Sequence, residues 1–135
     1  MKKVIPILLC AFFCTLSAVA QNEESPLKFA ETEWGFGAIS QEGGAVTHRF
    51  EFRNTGEEPI AIDRAVSSCG CTTPEYSRSL VRHDEQGSVT VSFNPADYPG
   101  AFRKSVVVVS GGGKWRNTLI ITGTVVPRQQ TQNVQ

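Results

Sequence analysis

Thioether sulfur is confined to the first position: Met1 is the only methionine in 135 residues. The body of the chain therefore lacks a ligand that soft Cu(I) favours. Histidine occurs twice, as His48 and His83, so further metal ligands are scarce. The formal net charge is zero and there is no run of Lys or Arg, which excludes the electrostatic footprint of a nucleic-acid or acidic-lipid binder. The acidic pairs Glu23-Glu24, Glu57-Glu58 and Asp84-Glu85 are sequence neighbours in turn-like segments, where they solvate the chain instead of flanking a substrate as acid and base. Beyond the N-terminal run no segment has helical spacing or the ~20 apolar residues of a membrane span, and no internal repeat of 20 to 50 residues is present.

The single long apolar run, "VIPILLCAFFCTLSAV", follows Lys2 and Lys3 and ends at Ala18-Val19-Ala20. This is the layout of a secretory signal peptide over residues 1–20, with cleavage expected after Ala20 and export to the periplasm or beyond. Phe13 before Cys14 and Leu9 before Cys10 argue against a lipid-modified cysteine. With Lys2 and Lys3 removed, 11 of the 13 basic residues face 13 acidic ones, a net charge of −2. Four cysteines become two, Cys69 and Cys71. The expected layout is a disordered leader over 21–26, one domain over 27–127 and a disordered tail over 128–135.

Within the domain, apolar and polar residues alternate in short runs broken by Gly, Pro and Asn. In "AVTHRFEFRN", Val46, His48, Phe50 and Phe52 share one face and Thr47, Arg49, Glu51 and Arg53 the other. Asn54 and Gly56 read as turn residues able to take positive φ. "IAIDRAV" points Ile60, Ile62 and Val66 inward with Arg64 the odd member, and "SVTVSFNP" does so with Val89, Val91 and Phe93. "SVVVV" is apolar on both faces, the mark of a central strand, and "WRNTLIITGTVV" places Trp115, Leu119, Ile121 and Val125 together. "PLKFAETEWGFGAI" adds one or two strands, with Phe29, Trp34, Phe36 and Ile39 as core candidates. The expected fold is all-β, an antiparallel immunoglobulin-like β-sandwich of about seven strands, with an open barrel as the alternative. The inter-sheet Cys…Trp…Cys staple of antibody domains is absent.

The chemistry-bearing stretch is "SSCGCTTP", Ser67 to Pro74. A Cys69–Cys71 disulfide would close so small a ring that chain entropy contributes only ~1.6 kcal/mol. Gly70 lets the backbone bend to bring the sulfurs together. The alternatives are a two-thiolate metal site, with His83 as a weak third candidate ligand, and a redox-active pair. His48, on an apolar strand face, reads as a packed histidine, and His83, in "RHDEQG", as part of a solvated turn. No catalytic residue and no cofactor are expected.

Read in order, "WGFGAI", "GGAVTHRFEFRNTGEEPIAI", "SSCGCTTPEYS", "GSVTVSFNP", "YPGAFRKSVVVVS" and "LIITGTV" resemble the DUF1573 family of exported bacterial domains, over about residues 29–126. "FEFRNTG" and "SSCGCTTPEYS" are the most specific of these. Such domains are similar to the immunoglobulin-like ASH/MSP group, whose F-x-P…G-x-F element corresponds here to Phe93, Pro95, Gly100 and Phe102. The departure is "RHDEQGS", which keeps Gly87 but lacks the family's turn proline. The resemblance implies a β-sandwich and no known activity. The functional expectation is an exported, non-catalytic interaction or structural module of the cell envelope, contacting another envelope protein or polymer. The alternative is a periplasmic thiol-redox or copper-handling protein acting through Cys69-Gly70-Cys71, with Thr72 completing the motif.

Overall fold

The alternating runs become strands in the computed structural model, which describes residues 24–128. The expected signal peptide over 1–20, the first half of the expected leader and residues 129–135 of the expected tail lie outside the described residues. Eight strands follow in order: β1 Leu27–Phe29, β2 Glu33–Ser40, β3 Val46–Asn54, β4 Ile62–Ser67, β5 Thr72–Tyr76, β6 Gln86–Phe93, β7 Gly100–Ser110 and β8 Trp115–Val126. They form two four-stranded sheets, β1-β3-β6-β5 and β2-β8-β7-β4. The sheets close on one apolar core.

Period-two alternation builds that core directly. Phe50 and Phe52 of β3, Val89, Val91 and Phe93 of β6, Val106 and Val108 of β7, and Leu119, Ile121 and Val125 of β8 are all buried, as is Ile62 of β4. Each such side chain contributes ~1.5–3 kcal/mol by leaving water. β7 is an interior strand, between β8 and β4, which is why both faces of its valine run are apolar.

Four details differ from the sequence reading. The segment "TTPEY" is a strand, β5, not part of a loop; Pro74 is tolerated because β5 lies at a sheet edge, beside β6 only. β2 pairs with β8 in parallel, because the chain crosses between sheets at Ala30–Thr32: Ala30 N donates to Glu51 O in the first sheet, and Thr32 O accepts from Ile120 N in the second. The register of β4 against β7 shifts between Ile62 and Arg64, with Asp63 the extra residue. That bulge inverts the face, so Ala65 and Ser67 turn inward while Val66, expected in the core, is 52% exposed. Trp34 does face the other sheet, opposite Ile121, but at the rim: its ring stacks on His48 at 4.0 Å instead of entering the core.

Every sheet edge is blunted against strand addition. β1 has three residues, β5 carries Pro74, β4 carries the Asp63 bulge, and β2 is bulged at Phe36-Gly37, with Gly37 at φ 72°.

Candidate functional site

β4 ends in the second sheet and β5 begins in the first, so the chain between them must turn across the sandwich. Cys69-Gly70-Cys71 is that crossing. Cys71 belongs to the buried core and Cys69 packs against it half-buried. Their Cα atoms are 5.2 Å apart and their sulfurs are in bonding contact. Gly70 is exposed, and a Cβ placed on it would meet nothing within 4 Å.

Backbone hydrogen bonds hold the corner independently of the sulfurs. Ser68 N donates to Ser105 O at 2.9 Å, Ser105 N to Ser68 Oγ at 3.1 Å, Thr72 N to Cys69 O at 3.1 Å and Asn94 N to Cys71 O at 2.9 Å. Cys71 N donates to Cys69 Sγ at 3.1 Å, and Thr72 Oγ1 lies 3.6 Å from Cys71 Sγ. Beside the corner is a cleft of about 160 Å³ lined by Gly70, Cys71, Asn94, Asp97 and Tyr98. Tyr98 is partly exposed, packs toward Phe93 and carries Lys104 Nζ 5.4 Å over its ring.

His83 is not brought to this corner. Thr72 pairs with Phe93 at one end of β6, whereas His83 precedes Gln86 at the other, one strand length of about 23 Å away. Its Nδ1 lies 2.7 Å from Gly56 O, and its Nε2 lies 3.4 Å from an Asp84 carboxylate oxygen. Among the described residues no group of three or more His, Cys, Asp or Glu could hold a metal ion. His48 is also engaged, with Nε2 against Glu31 Oε1, its ring stacked on Trp34 and set edge-on to Phe50 at 4.8 Å.

Asn54 is the residue whose role the sequence hides. It is fully buried, and its side chain ties three segments together: Nδ2 donates to Glu58 O and Val81 O, and Oδ1 accepts from Gly56 N, each at 2.9 Å. Neither Asn54 nor Gly56 has positive φ; Asp84 is the one non-glycine residue that does among those described. An Asn ending an alternating run on its apolar face was the available signal.

The outward side of the second sheet carries an apolar diagonal. Val66 lies opposite Val107, and Ile120 is one step along β8. Val109, on the same side, is covered and lies between Arg64 of β4 and Arg116 of β8. At the far end Arg103 donates to Glu33 at 3.1 Å. Among the described residues no helix is long and apolar enough to cross a membrane.

Residues 27–125 match a family described as "Protein of unknown function (DUF1573)". No curated protein matches the sequence. Among solved structures, a protein of unknown function from Porphyromonas gingivalis W83 superposes with a TM-score of 0.63 at 12% identity, over 73% of this chain and 46% of that one. The C. elegans MSP family member WR4 gives 0.55 at 8% identity, over 76% of this chain and all of WR4. The Pseudomonas aeruginosa CupB2 chaperone gives 0.51 at 12% identity, over 78% and 57%. The chain thus spans less than half of the Porphyromonas protein and little over half of the chaperone. At these identities the likeness is one of fold, an immunoglobulin-like sandwich of the MSP kind. In that fold the rings of Phe93 and Phe102, from the F-x-P…G-x-F element, stack at 4.0 Å.

Proposed function

The chain belongs to DUF1573, a family of proteins of unknown function, and from that premise we propose that it is an exported, non-catalytic interaction module of the bacterial envelope. The observation that carries this reading is the outward face of the second sheet. There the Asp63 bulge turns Val66 out, exposed, beside the half-buried Val107 and Ile120, with Arg64 and Arg116 at the rim. Exposed apolar surface with a polar rim is what protein contact sites present. The two arginines fit a partner surface that is apolar at its centre and acidic at its edge. With all edges blunted, the partner meets a sheet face, not an added strand. The likeness in fold to an MSP family member and to the CupB2 chaperone is compatible with a module of this kind.

Export rests on the N-terminal signal, and the oxidising compartment it leads to permits a Cys69–Cys71 disulfide. The test is a photo-crosslinking side chain at Val66 in the producing cell, with Thr73 on the opposite sheet as control. A discrete crosslinked protein from Val66, lost when Arg64 and Arg116 are both changed to Glu, supports the reading. Equal yields from both positions, or none from Val66, overturn it.

A further inference from the structure

We infer that the Cys69-Gly70-Cys71 corner is a thiol–disulfide exchange site that takes a cysteine thiol through the adjoining cleft, a role that goes beyond the interaction module and stands or falls separately. Three observations converge on it.

The first is that the scaffold does not depend on the bond. The pair is two residues apart in sequence, so closing it restricts the unfolded chain very little. The corner is fixed instead by the Ser68–Ser105 pair and by the Asn94 and Thr72 amides. A disulfide that must open and close in each cycle needs this kind of frame, one that keeps its shape when the sulfurs separate.

The second is access. Cys71 is the more buried of the two cysteines, yet it is the one that lines the 160 Å³ cleft, together with Asn94, Asp97 and Tyr98. Gly70 contributes bare backbone to the same opening, so a peptide segment approaching the sulfur meets no side chain there. A volume of about 160 Å³ is on the scale of one side chain, and Tyr98 forms part of its lining.

The third is polarity. The Cys71 amide N–H is aimed at Cys69 Sγ at 3.1 Å. A hydrogen-bond donor on one sulfur favours that sulfur as the departing thiolate, because exchange is faster when the leaving thiolate is stabilised. Cleft and amide therefore assign opposite roles to the two sulfurs, Cys71 as the one attacked and Cys69 as the one released.

The step is written from those assignments. An external thiolate attacks Cys71 Sγ, forming a new S–S bond. The Cys69–Cys71 bond breaks, and its electron pair leaves on Cys69 Sγ, which accepts from the Cys71 amide. A second external thiol, as thiolate, attacks the incoming sulfur and releases Cys71 as a thiolate. Two external thiols are oxidised to one disulfide and the corner is reduced by two electrons; the reverse sequence returns it to the oxidised form.

The oxidised full-length exported chain tests this with glutathione as the probe. It is equilibrated at neutral pH in mixtures of reduced and oxidised glutathione, quenched with acid, alkylated and mapped by mass spectrometry. The expected result is one reversible two-electron equilibrium at millimolar reduced glutathione. The transient adduct should sit on Cys71 about tenfold more often than on Cys69, the increment one hydrogen bond to the leaving sulfur supplies. The far-ultraviolet circular dichroism of the reduced chain should be unchanged. A bond that stays closed under these conditions overturns the proposal, as does reduction that unfolds the domain. An adduct mainly on Cys69 overturns the assigned direction of attack. None of these outcomes depends on crosslinking at Val66.

Discussion

Adding one methyl group at Gly87 is expected to cost the domain about 1–3 kcal/mol, as overpacking of a filled core does. Gly87 of β6 lies directly opposite Phe52 of β3, and the Phe52 ring folds down over it. An ideal Cβ on Gly87 would overlap Phe52 Cζ and stand 2.8 Å from Cε2 and 3.0 Å from Cε1. The ring has little freedom to retreat, since it is 4% exposed and Phe29 packs on it with centroids 5.2 Å apart. Phe52→Ala alone should cost ~3–5 kcal/mol through the cavity it leaves. In that background, however, the obstacle is gone, and Gly87→Ala should stabilise by roughly 0.5–1 kcal/mol because alanine is the better strand residue. The same substitution thus changes sign, which amounts to a coupling of about 1.5–4 kcal/mol between the two positions. Urea unfolding of the four proteins, compared at constant m-value, measures it. A Gly87→Ala protein as stable as the parent, with Phe52 in place, would refute the argument that this glycine exists to seat the ring.

Other perturbations follow from the same structure. Asn54→Ala should lose at least about 2 kcal/mol, because it leaves the carbonyls of Glu58 and Val81 and the amide of Gly56 without their buried partner; Asn54→Asp, which cannot donate, should fare no better in the same urea assay. Replacing Cys69 and Cys71 together by Ser should lower the melting temperature by about 6–13 °C, the equivalent of the ~1.6 kcal/mol that so short a ring contributes. The Lys28 ammonium, hydrogen-bonded at 2.6 Å, holds the Glu24 carboxyl below the usual carboxylate range. A lowered folded value means that any stabilisation is present above the unfolded carboxylate pKa and lost as the pH falls through the folded one. Glu24 is fully exposed, so Glu24→Gln should leave the acid-unfolding midpoint where it was. Intact mass of the exported protein should begin at Gln21, whereas a lipid-bearing species beginning at a cysteine would refute the reading of the signal.

The parts of the fold legible in advance were those where one local rule acts alone. Along β3, β6 and β8 the two-residue period runs unbroken, so Phe50, Phe52, Val89, Val91, Phe93, Leu119 and Ile121 could be placed inward from spacing. β4 obeys the same rule only as far as Ile62. One inserted residue, Asp63, then inverts every later side chain, and nothing in "IDRAV" announces it because the bulge is fixed by pairing with the distant β7. Trp34 failed for another reason: its direction was readable, but whether an inward residue is covered depends on what lies across from it, and at the rim that is a single histidine ring. The cysteine corner was visible as a motif. Its cleft was not, because Asn94, Asp97 and Tyr98 arrive from the far end of β6, more than twenty positions along the chain.

The parallel pairing of β2 with β8 also determines how the domain answers to force. The first residue of β2, Glu33, and the last of β8, Val126, lie at opposite ends of the pair. A pull applied through the chain before Glu33 and after Val126 acts along the strands in opposite directions, so the hydrogen bonds from Glu33 to Ser40 are loaded together in shear. They cannot be peeled apart one at a time as in an antiparallel hairpin pulled from its open end. The three-residue β1 would detach first, and the β2–β8 pair would then act as a clamp that must break as a unit. A domain held at both ends between two envelope structures would therefore transmit tension with its sandwich intact, up to the rupture of that single pair of strands.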